Sequence, residues 1–277
     1  MKAVLKNWIQ SPAWFWSFVI ASVLSLLTYA LNSAIAEIHP GNVWGLTYGT
    51  LASLLLAGAA LYGLRRRMVK FAARNKLGTS RNWVQFHLYG GTLFLLLTFM
   101  HTGFHLPHGP LNWWMWILAI WVTLSGILGV LLQKWIPKIL ASGLSLEVVY
   151  ERIPELITEI KNKAEELVNN ATEPVKEFYQ KNLAPAFLAP SPRWIYYFDI
   201  TGGIQAQIKK FEFVKKLLPG EEKMKLEQLE SMYRTKLELD AHYTLQKVLR
   251  LWLYTHVPLS LVLLLLVILH LYAVLVY

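Results

Sequence analysis

The chain alternates between long uncharged stretches and short charged segments. The stretches without Lys, Arg, Asp or Glu run from Lys6 to Glu37, Glu37 to Arg65, Arg81 to Lys134 and Arg250 to the C-terminus. A helix needs about 20 apolar residues to cross a bilayer, and the third stretch is long enough for two helices separated by Pro107 and Pro110. The pattern predicts five transmembrane helices, over roughly Trp14–Ile35, Trp44–Leu64, Trp83–Leu106, Trp113–Gln133 and Leu249–Tyr277.

The segment between the fourth and fifth spans has the character of a water-exposed, helical insertion. Apolar residues recur at helical spacing between Leu144 and Ala171, at Leu146, Val149, Ile153, Leu156, Ile160 and Leu167. Prolines 174, 185, 190 and 192 argue against a sixth span through the apolar patch at residues 183–198. A second helix is predicted from Gly203 to Leu218, and a third begins at Glu221 and is compatible with an unbroken continuation into span five.

Composition and charge place the protein in a membrane. The 277 residues are 55% hydrophobic, with a mean hydropathy of +0.37, which is more apolar surface than one soluble domain buries. The net charge of +10 is concentrated in the loop between spans two and three, which has no acid and contains Arg65, Arg66, Arg67, Lys70, Arg74, Lys76 and Arg81. This distribution follows the positive-inside rule and argues against a nucleic-acid partner.

Orientation and domain organisation follow from that rule. It predicts an inner (cytoplasmic) membrane protein in contact with lipid, with the N-terminus and the insertion in the cytoplasm and the C-terminus outside. The predicted fold is all-α. Residues 1–134 form transmembrane helices one to four, residues 135–248 the helical cytoplasmic insertion, and residues 249–277 the fifth transmembrane helix that completes the bundle. The chain has no cysteine, which excludes cysteine-ligated iron-sulfur clusters and covalent c-type haem within it.

Four intramembrane histidines carry the candidate chemistry. His87 and His101 lie 14 residues apart on span three, and His256 and His270 lie 14 apart on span five. Fourteen residues return to within about 40° of the starting direction after a rise of about 21 Å. Because spans three and five are parallel in this topology, we expect His87 to face His256 near the cytoplasmic side and His101 to face His270 near the outer side. Neutral imidazole is an axial ligand of haem iron, so the spacing predicts two haem b groups, with these four histidines as the metal ligands.

Other histidines provide alternatives. A single intramembrane histidine is explained equally well by a proton relay or a hydrogen bond, but two equal spacings favour haem. His105 lies 18 residues from His87 on the same predicted face and is an alternative to His101 as a ligand, although the matching spacing on span five favours His101. His39 and His108 are expected in outer loops, as solvated residues or as hydrogen-bond donors to a haem propionate or a quinone. His242 extends the spacing backward, but its counterpart would be Ala73, which excludes a third haem.

Glycines and arginines near the histidines are further candidates for cofactor binding. Gly90 and Gly91 follow His87 by one turn, where glycine either allows close helix packing or admits the flat macrocycle. Gly103, Gly126 and Gly129 are interpreted in the same way. Arg81 and Arg250, together with Lys247, are expected where the propionates of the cytoplasmic haem would emerge, with anchoring at the membrane interface as the equal alternative.

Two histidines about four turns apart on each of two parallel helices resemble the haem-binding core of the cytochrome b superfamily. Their position on spans three and five most resembles the transmembrane domain of ferric reductases and NADPH oxidases, and the resemblance covers spans two to five. The chain departs from that family by its long insertion and by ending with span five, where the family continues into a flavin and nicotinamide domain. The resemblance therefore implies a subunit of a larger redox complex, with a c-type cytochrome, an iron-sulfur protein or a flavin protein as partner.

Three functions are compatible with these features. The leading hypothesis is a cytochrome b subunit that transfers electrons across the bilayer through two bis-histidine haems, with quinone as a further candidate cofactor. The second is a transmembrane reductase of an external acceptor such as ferric iron or oxygen. The third is a proton transporter that uses the histidines. Whether the chain is itself an enzyme is left open among them.

Overall fold

The computed structural model describes residues 11–75, 77–143 and 148–276, and over these residues the chain is all-α. Three short 3-10 helices lie at Tyr150–Arg152, Ala184–Phe187 and Trp194–Tyr197. The α-helices of the described residues are α1 (Pro12–Ile35), α2 (Val43–Arg67), α3 (Val69–Arg74), α4 (Ser80–His101), α5 (Pro110–Gly143), α6 (Ile153–Asn169), α7 (Glu173–Asn182), α8 (Ile200–Lys215) and α9 (Gly220–Val276). The predicted positions Lys2, Lys6, Lys76, Leu144, Leu146 and Tyr277 lie outside the described residues.

Within the described residues, five helices are long and apolar enough to cross a membrane, namely α1, α2, α4, α5 and α9. Their outward faces carry large apolar side chains in the open, such as Leu54 and Leu261, which are 63% and 59% exposed. Polar groups lie inside instead: the buried Asn32 amide donates a 3.0 Å hydrogen bond to the Tyr48 hydroxyl. A protein in a lipid bilayer needs apolar side chains on its outer surface and hydrogen-bonded polar groups inside. The prediction of an all-α membrane helical bundle is confirmed.

The chain divides into two compact units. The first, here called the membrane unit, ends at Gly129 and resumes at Leu253, and the second, the insertion unit, is Val130–Trp252. In the membrane unit α2 packs along α4, and α1 packs on α4. Its core contains Tyr48, Phe94, Leu97, Met100 and Leu263. Small residues on α2 let the helices approach closely, because a short side chain keeps the two backbones near each other.

Side chains at the helix ends fix where α2 and α4 begin and meet. Asn42 caps α2 by accepting a 2.8 Å hydrogen bond from the Gly45 N–H, and the Thr79 hydroxyl caps α4 in the same manner. At the other end of α2, Arg65 donates to the Ser80 hydroxyl at 2.8 Å and to the Gly78 carbonyl at 2.6 Å. The end of α2 is thereby tied to the start of α4.

Helix α4 ends at His101, so the predicted span Trp83–Leu106 is too long at its C-terminal end. Gly103 has φ +62°, and the N–H groups of Gly103 and Phe104 donate to the carbonyls of Met100 and Phe99. This is a Schellman motif, which closes a helix with a residue in the left-handed region. His105 therefore lies in the loop after the helix, and the expectation that it continues the His87–His101 face is wrong.

Helices α5 and α9 extend well beyond the predicted spans. Helix α5 continues from Pro110 through Pro137 to Gly143, and α9 runs without interruption from Gly220 to Val276. The uncharged stretch marks only the part of a helix that needs lipid, whereas the helix itself continues into the polar sequence beside it. The prediction of Trp113–Gln133 for span four is therefore too short at both ends.

The insertion unit has its own core, which includes Phe187, Tyr196, Phe211, Leu229 and Tyr233. The sequence placed its first helix too early, since α6 begins at Ile153 after a 3-10 turn. Helix α7 was not predicted, although Pro174 occupies its first turn, where a missing N–H costs nothing. Asp199 caps α8 and starts it at Ile200, ahead of the predicted Gly203.

A buried ion pair lies at the centre of the insertion unit. The Lys236 ammonium and the Asp240 carboxylate are 2.6 Å apart, and both side chains are 0% exposed. Asp240 also accepts a 2.9 Å hydrogen bond from the Ser191 N–H. Two buried charges are tolerated when they neutralise each other and gain further hydrogen bonds, and Ser191 supplies such bonds to both members of this pair.

Candidate functional site

The structure brings the four intramembrane histidines together as two pairs, both within the membrane unit. The rings of His87 on α4 and His256 on α9 have centroids 6.4 Å apart at an interplanar angle of 77°. The rings of His101 and His270, on the same two helices, are 6.4 Å apart at 80°. These are the pairs that the sequence spacing predicts. Fourteen residues of helix separate the pairs by about 21 Å, so both fit within the roughly 30 Å hydrocarbon core of a bilayer.

The ring separation fits one metal ion held between two imidazoles. Metal–imidazole bonds are about 2.0–2.1 Å long, as measured for zinc, and a ring nitrogen lies about 1.1 Å from its ring centroid, so two imidazoles on opposite sides of one ion have centroids about 6.3 Å apart. Edge-to-face ring contacts cover the same range of centroid distances, about 4.5–7 Å, so the repetition of the pair at two depths is the informative feature. Both pairs have the separation that two ligands of one ion would have, and imidazole is an axial ligand of haem iron.

Helix α2 orients the two histidines of α4. The Nδ1 atom of His87 lies 2.9 Å from the Ala59 carbonyl oxygen, and Nδ1 of His101 lies 2.8 Å from the Gly45 carbonyl oxygen. A carbonyl can only accept, so each Nδ1 carries the proton and Nε2 is the nitrogen with the lone pair. Gly45 and Ala59 are themselves 14 residues apart. The acceptors thus repeat the spacing of the ligands along an antiparallel helix.

A serine orients the imidazole of His256 in the same way, through a hydrogen bond to Nδ1. The Ser125 hydroxyl lies 2.9 Å from Nδ1 of His256 and donates its own proton to the Val122 carbonyl at 3.1 Å. A hydroxyl has one proton, so the Ser125 oxygen accepts from Nδ1–H of His256. Hydrogen bonds of this kind fix the tautomer and ring orientation of metal-ligating histidines, and their loss typically lowers metal affinity 10- to 100-fold.

Two glycines of α2 make room for this arrangement. A Cβ atom on Gly49 would lie 2.7 Å from Nδ1 of His101, and a Cβ on Gly45 would lie 2.1 Å from the His39 carbonyl oxygen. Both distances are shorter than the roughly 3.0 Å below which a Cβ atom practically never approaches another heavy atom. The site residues predicted from the sequence did not include Gly45, Gly49, Ala59 or Ser125. The four-residue spacing of the two glycines, typical of close helix packing in membranes, is the signal that was available for them.

The glycines that the sequence did single out differ in their surroundings. Gly90 packs against Phe86 and Leu55 at ordinary contact distances, whereas a Cβ on Gly91 would meet nothing within 4 Å. On α5, a Cβ on Gly126 would lie 3.4 Å from the His256 ring. Gly91 therefore borders open space, and Gly90 serves helix packing.

A cavity of about 680 Å³ contains the His101–His270 pair. This volume is within the range of roughly 300–1,000 Å³ that is typical of small-molecule and cofactor sites. Its walls are mainly apolar, and besides the two ligand candidates it is lined by His39, His105 and His108. We refer to it as the five-histidine cavity. His39 belongs to the α1–α2 loop, and His105 and His108 belong to the α4–α5 loop.

The remaining candidates lie elsewhere. Arg81 occupies the exposed first turn of α4. Arg250 belongs to the insertion unit, where its guanidinium pairs with Glu151 and stacks over the Tyr150 ring at 4.2 Å. His242 is buried in the same unit, with Nδ1 3.3 Å from the Gln246 amide nitrogen.

The fold and the site define an all-α membrane protein with two stacked histidine pairs. Comparisons of the chain with protein-family models, with curated proteins and with solved structures found no match. The case for a function therefore rests on the geometry of the bundle.

Proposed function

We propose that the chain is a membrane cytochrome b subunit that transfers electrons across the bilayer through two bis-histidine b-type haems. The observation that carries the proposal is the pair of 6.4 Å imidazole separations, repeated at two depths on the same two helices. A single pair of neighbouring histidines in a membrane helix bundle could instead serve a proton relay or a hydrogen bond. Two pairs with one separation, with hydrogen-bonded Nδ1 atoms in both, are the arrangement that axial ligation requires.

Each haem, when bound, supplies a one-electron redox couple. His87 and His256 would hold one, here called the inner haem, and His101 and His270 the other, here called the outer haem. With two histidines as ligands, each group would serve electron transfer rather than substrate binding. The carbonyls of Ala59 and Gly45 hold the α4 imidazoles in one tautomer, which would keep the ligand nitrogens oriented toward the group.

The setting of this electron path is also part of the proposal. The basic residues at the end of α2 favour a cytoplasmic position for that side of an inner membrane, which places the His87–His256 pair nearer the cytoplasm. The resemblance to cytochrome b and to the ferric reductase and NADPH oxidase transmembrane domain supports the same role. We expect a flavin, iron-sulfur or c-type cytochrome partner, and quinone is a candidate carrier at one surface.

Purification and variant spectroscopy test the proposal. The isolated protein should contain about two haem b per chain, extractable by acid acetone because no cysteine tethers them. His87→Ala and His256→Ala should lose the same haem in a redox titration, and His101→Ala and His270→Ala the other. A protein without haem would favour the proton-transport alternative. Loss of the same haem in His87→Ala and His270→Ala would refute the pairing.

Partner analysis separates the conduit from a reductase. Redox subunits that co-purify with the protein support an electron-transfer subunit. Reduction of ferric iron or oxygen by the isolated chain, at a rate that matches turnover, would instead support the self-contained reductase.

A further inference from the structure

The five-histidine cavity has an unusual set of polar groups. Its lining includes the ligand candidates His101 and His270 together with His39, His105 and His108. Among the described residues that line it, none is Lys, Arg, Asp, Glu or Tyr. Glu37, in the α1–α2 loop, is an exposed acid near this end of the membrane unit. Imidazoles are therefore the titratable groups that face the cavity from α4, α9 and both loops.

We infer that His39, His105 and His108 form the carboxylate-binding end of the pocket for the outer haem. The inference rests on the proposed function. A b-type haem carries two carboxylates on one edge, and carboxylates near a low-dielectric cavity need hydrogen-bond donors or positive charge. These three histidines are the ones in the cavity lining that are not used as ligands.

The two loops that carry the three histidines both border the cavity and contact each other. A Cβ on Gly103 would lie 2.1 Å from the Ile38 carbonyl oxygen, so the α4–α5 loop closely contacts the segment that carries His39. The same Cβ would lie 3.2 Å from Nδ1 of His105. Asn112 holds the second loop by donating a 2.8 Å hydrogen bond to the His108 carbonyl.

His39 is arranged as a donor. Its Nδ1 accepts a 3.3 Å hydrogen bond from the Gly41 N–H, so the neutral ring carries its proton on Nε2. Nε2–H can then donate to an anion.

This composition predicts an effect on the outer haem. Hydrogen-bond donors offset the negative charge of the haem carboxylates, and this favours the reduced form of the iron. Loss of the three imidazoles should therefore lower the midpoint potential of the outer haem.

The test compares wild-type protein with the triple variant His39→Leu, His105→Leu, His108→Leu by redox titration. The triple variant should keep both haems, and the ferric-to-ferrous ratio of its outer haem at fixed ambient potential should be several-fold higher than in wild type. The inner haem should respond like wild type. His242→Leu, at a histidine of the insertion unit, is the control and should change neither potential.

Each alternative result is decisive. An outer haem with wild-type potential in the triple variant would overturn the inference. So would loss of the outer haem in His105→Gln alone while His101→Gln retains it, because His105 would then be an axial ligand. Wild-type protein without haem would overturn the proposed function itself, and that result is distinguishable because it precedes any titration.

Discussion

A single methyl group at Gly49 should selectively weaken the outer haem. In Gly49→Ala the new Cβ would lie 2.7 Å from Nδ1 and 2.9 Å from Cε1 of His101, well inside van der Waals contact. The backbone of α2 is held by its packing on α4, so the imidazole must rotate away. That rotation breaks the 2.8 Å hydrogen bond from Nδ1–H to the Gly45 carbonyl.

The size of the effect follows from this lost hydrogen bond. Removal of the hydrogen-bond partner of a ligating histidine lowers metal affinity about 10- to 100-fold, or about 1.4–2.7 kcal/mol. The helix itself should tolerate the change, because alanine is favoured over glycine inside a helix by about 0.5–1 kcal/mol. Transfer of haem to an excess of an apo-globin, followed by absorbance, should be 10- to 100-fold faster for the outer haem and unchanged for the inner haem.

Gly63→Ala provides the matched control on the same helix. A Cβ on Gly63 would meet nothing within 4 Å, so this variant should release both haems at the wild-type rate. Wild-type release from Gly49→Ala, or equal acceleration of both haems, would refute the role given to the Gly45–His101 hydrogen bond.

Three further predictions concern other parts of the molecule. Ser125→Ala removes the acceptor for His256 and should speed loss of the inner haem 10- to 100-fold in the same transfer assay, while equal loss of both haems would contradict it. Asp240→Ala should lower the free energy of unfolding by about 3–5 kcal/mol, because the Lys236 ammonium stays buried without its partner. Replacing both residues by apolar ones should cost much less in thermal denaturation, and an equal cost would argue against charge burial as the cause. Burial, with contributions from Arg193 and Lys236, lowers the pKa of Lys210 to about 8. The unfolded chain then binds more protons between pH 8 and about pH 10.5, so stability should increase with pH in that window and Lys210→Met should lack the increase.

The pairing of the four histidines could be predicted because it depends only on helical periodicity and on the direction in which each span crosses the membrane. Equal spacings on two parallel spans fix which histidines share a depth, and the structure pairs the same residues. The acceptors of their Nδ1 protons could not be predicted, because Gly45 and Ala59 contribute backbone carbonyls, which every residue has. Ser125 is one hydroxyl among many in the spans, and only the position of α5 beside His256 distinguishes it.

Helix ends were the less predictable part of the fold. The stretch around Gly103 is uncharged, so hydropathy continues smoothly through the point at which α4 stops. Helix α4 ends because Gly103 and Phe104 have positive φ, and His105 therefore lies in a loop rather than on a helix face. In the insertion unit, the helices could be expected from amphipathic spacing, but their starts depend on caps such as Asp199, which a pattern of apolar residues does not register.

The hydrogen bonds between α2 and α4 have a consequence for biosynthesis. They join residues 45–101, which leave the ribosome long before the segment that carries His256 and His270. The imidazoles of α4 can therefore form these hydrogen bonds in a nascent chain that still lacks α9. If the histidine pairs hold haem as proposed, each site would be half-formed before α9 is made, and cofactor binding would wait for that helix.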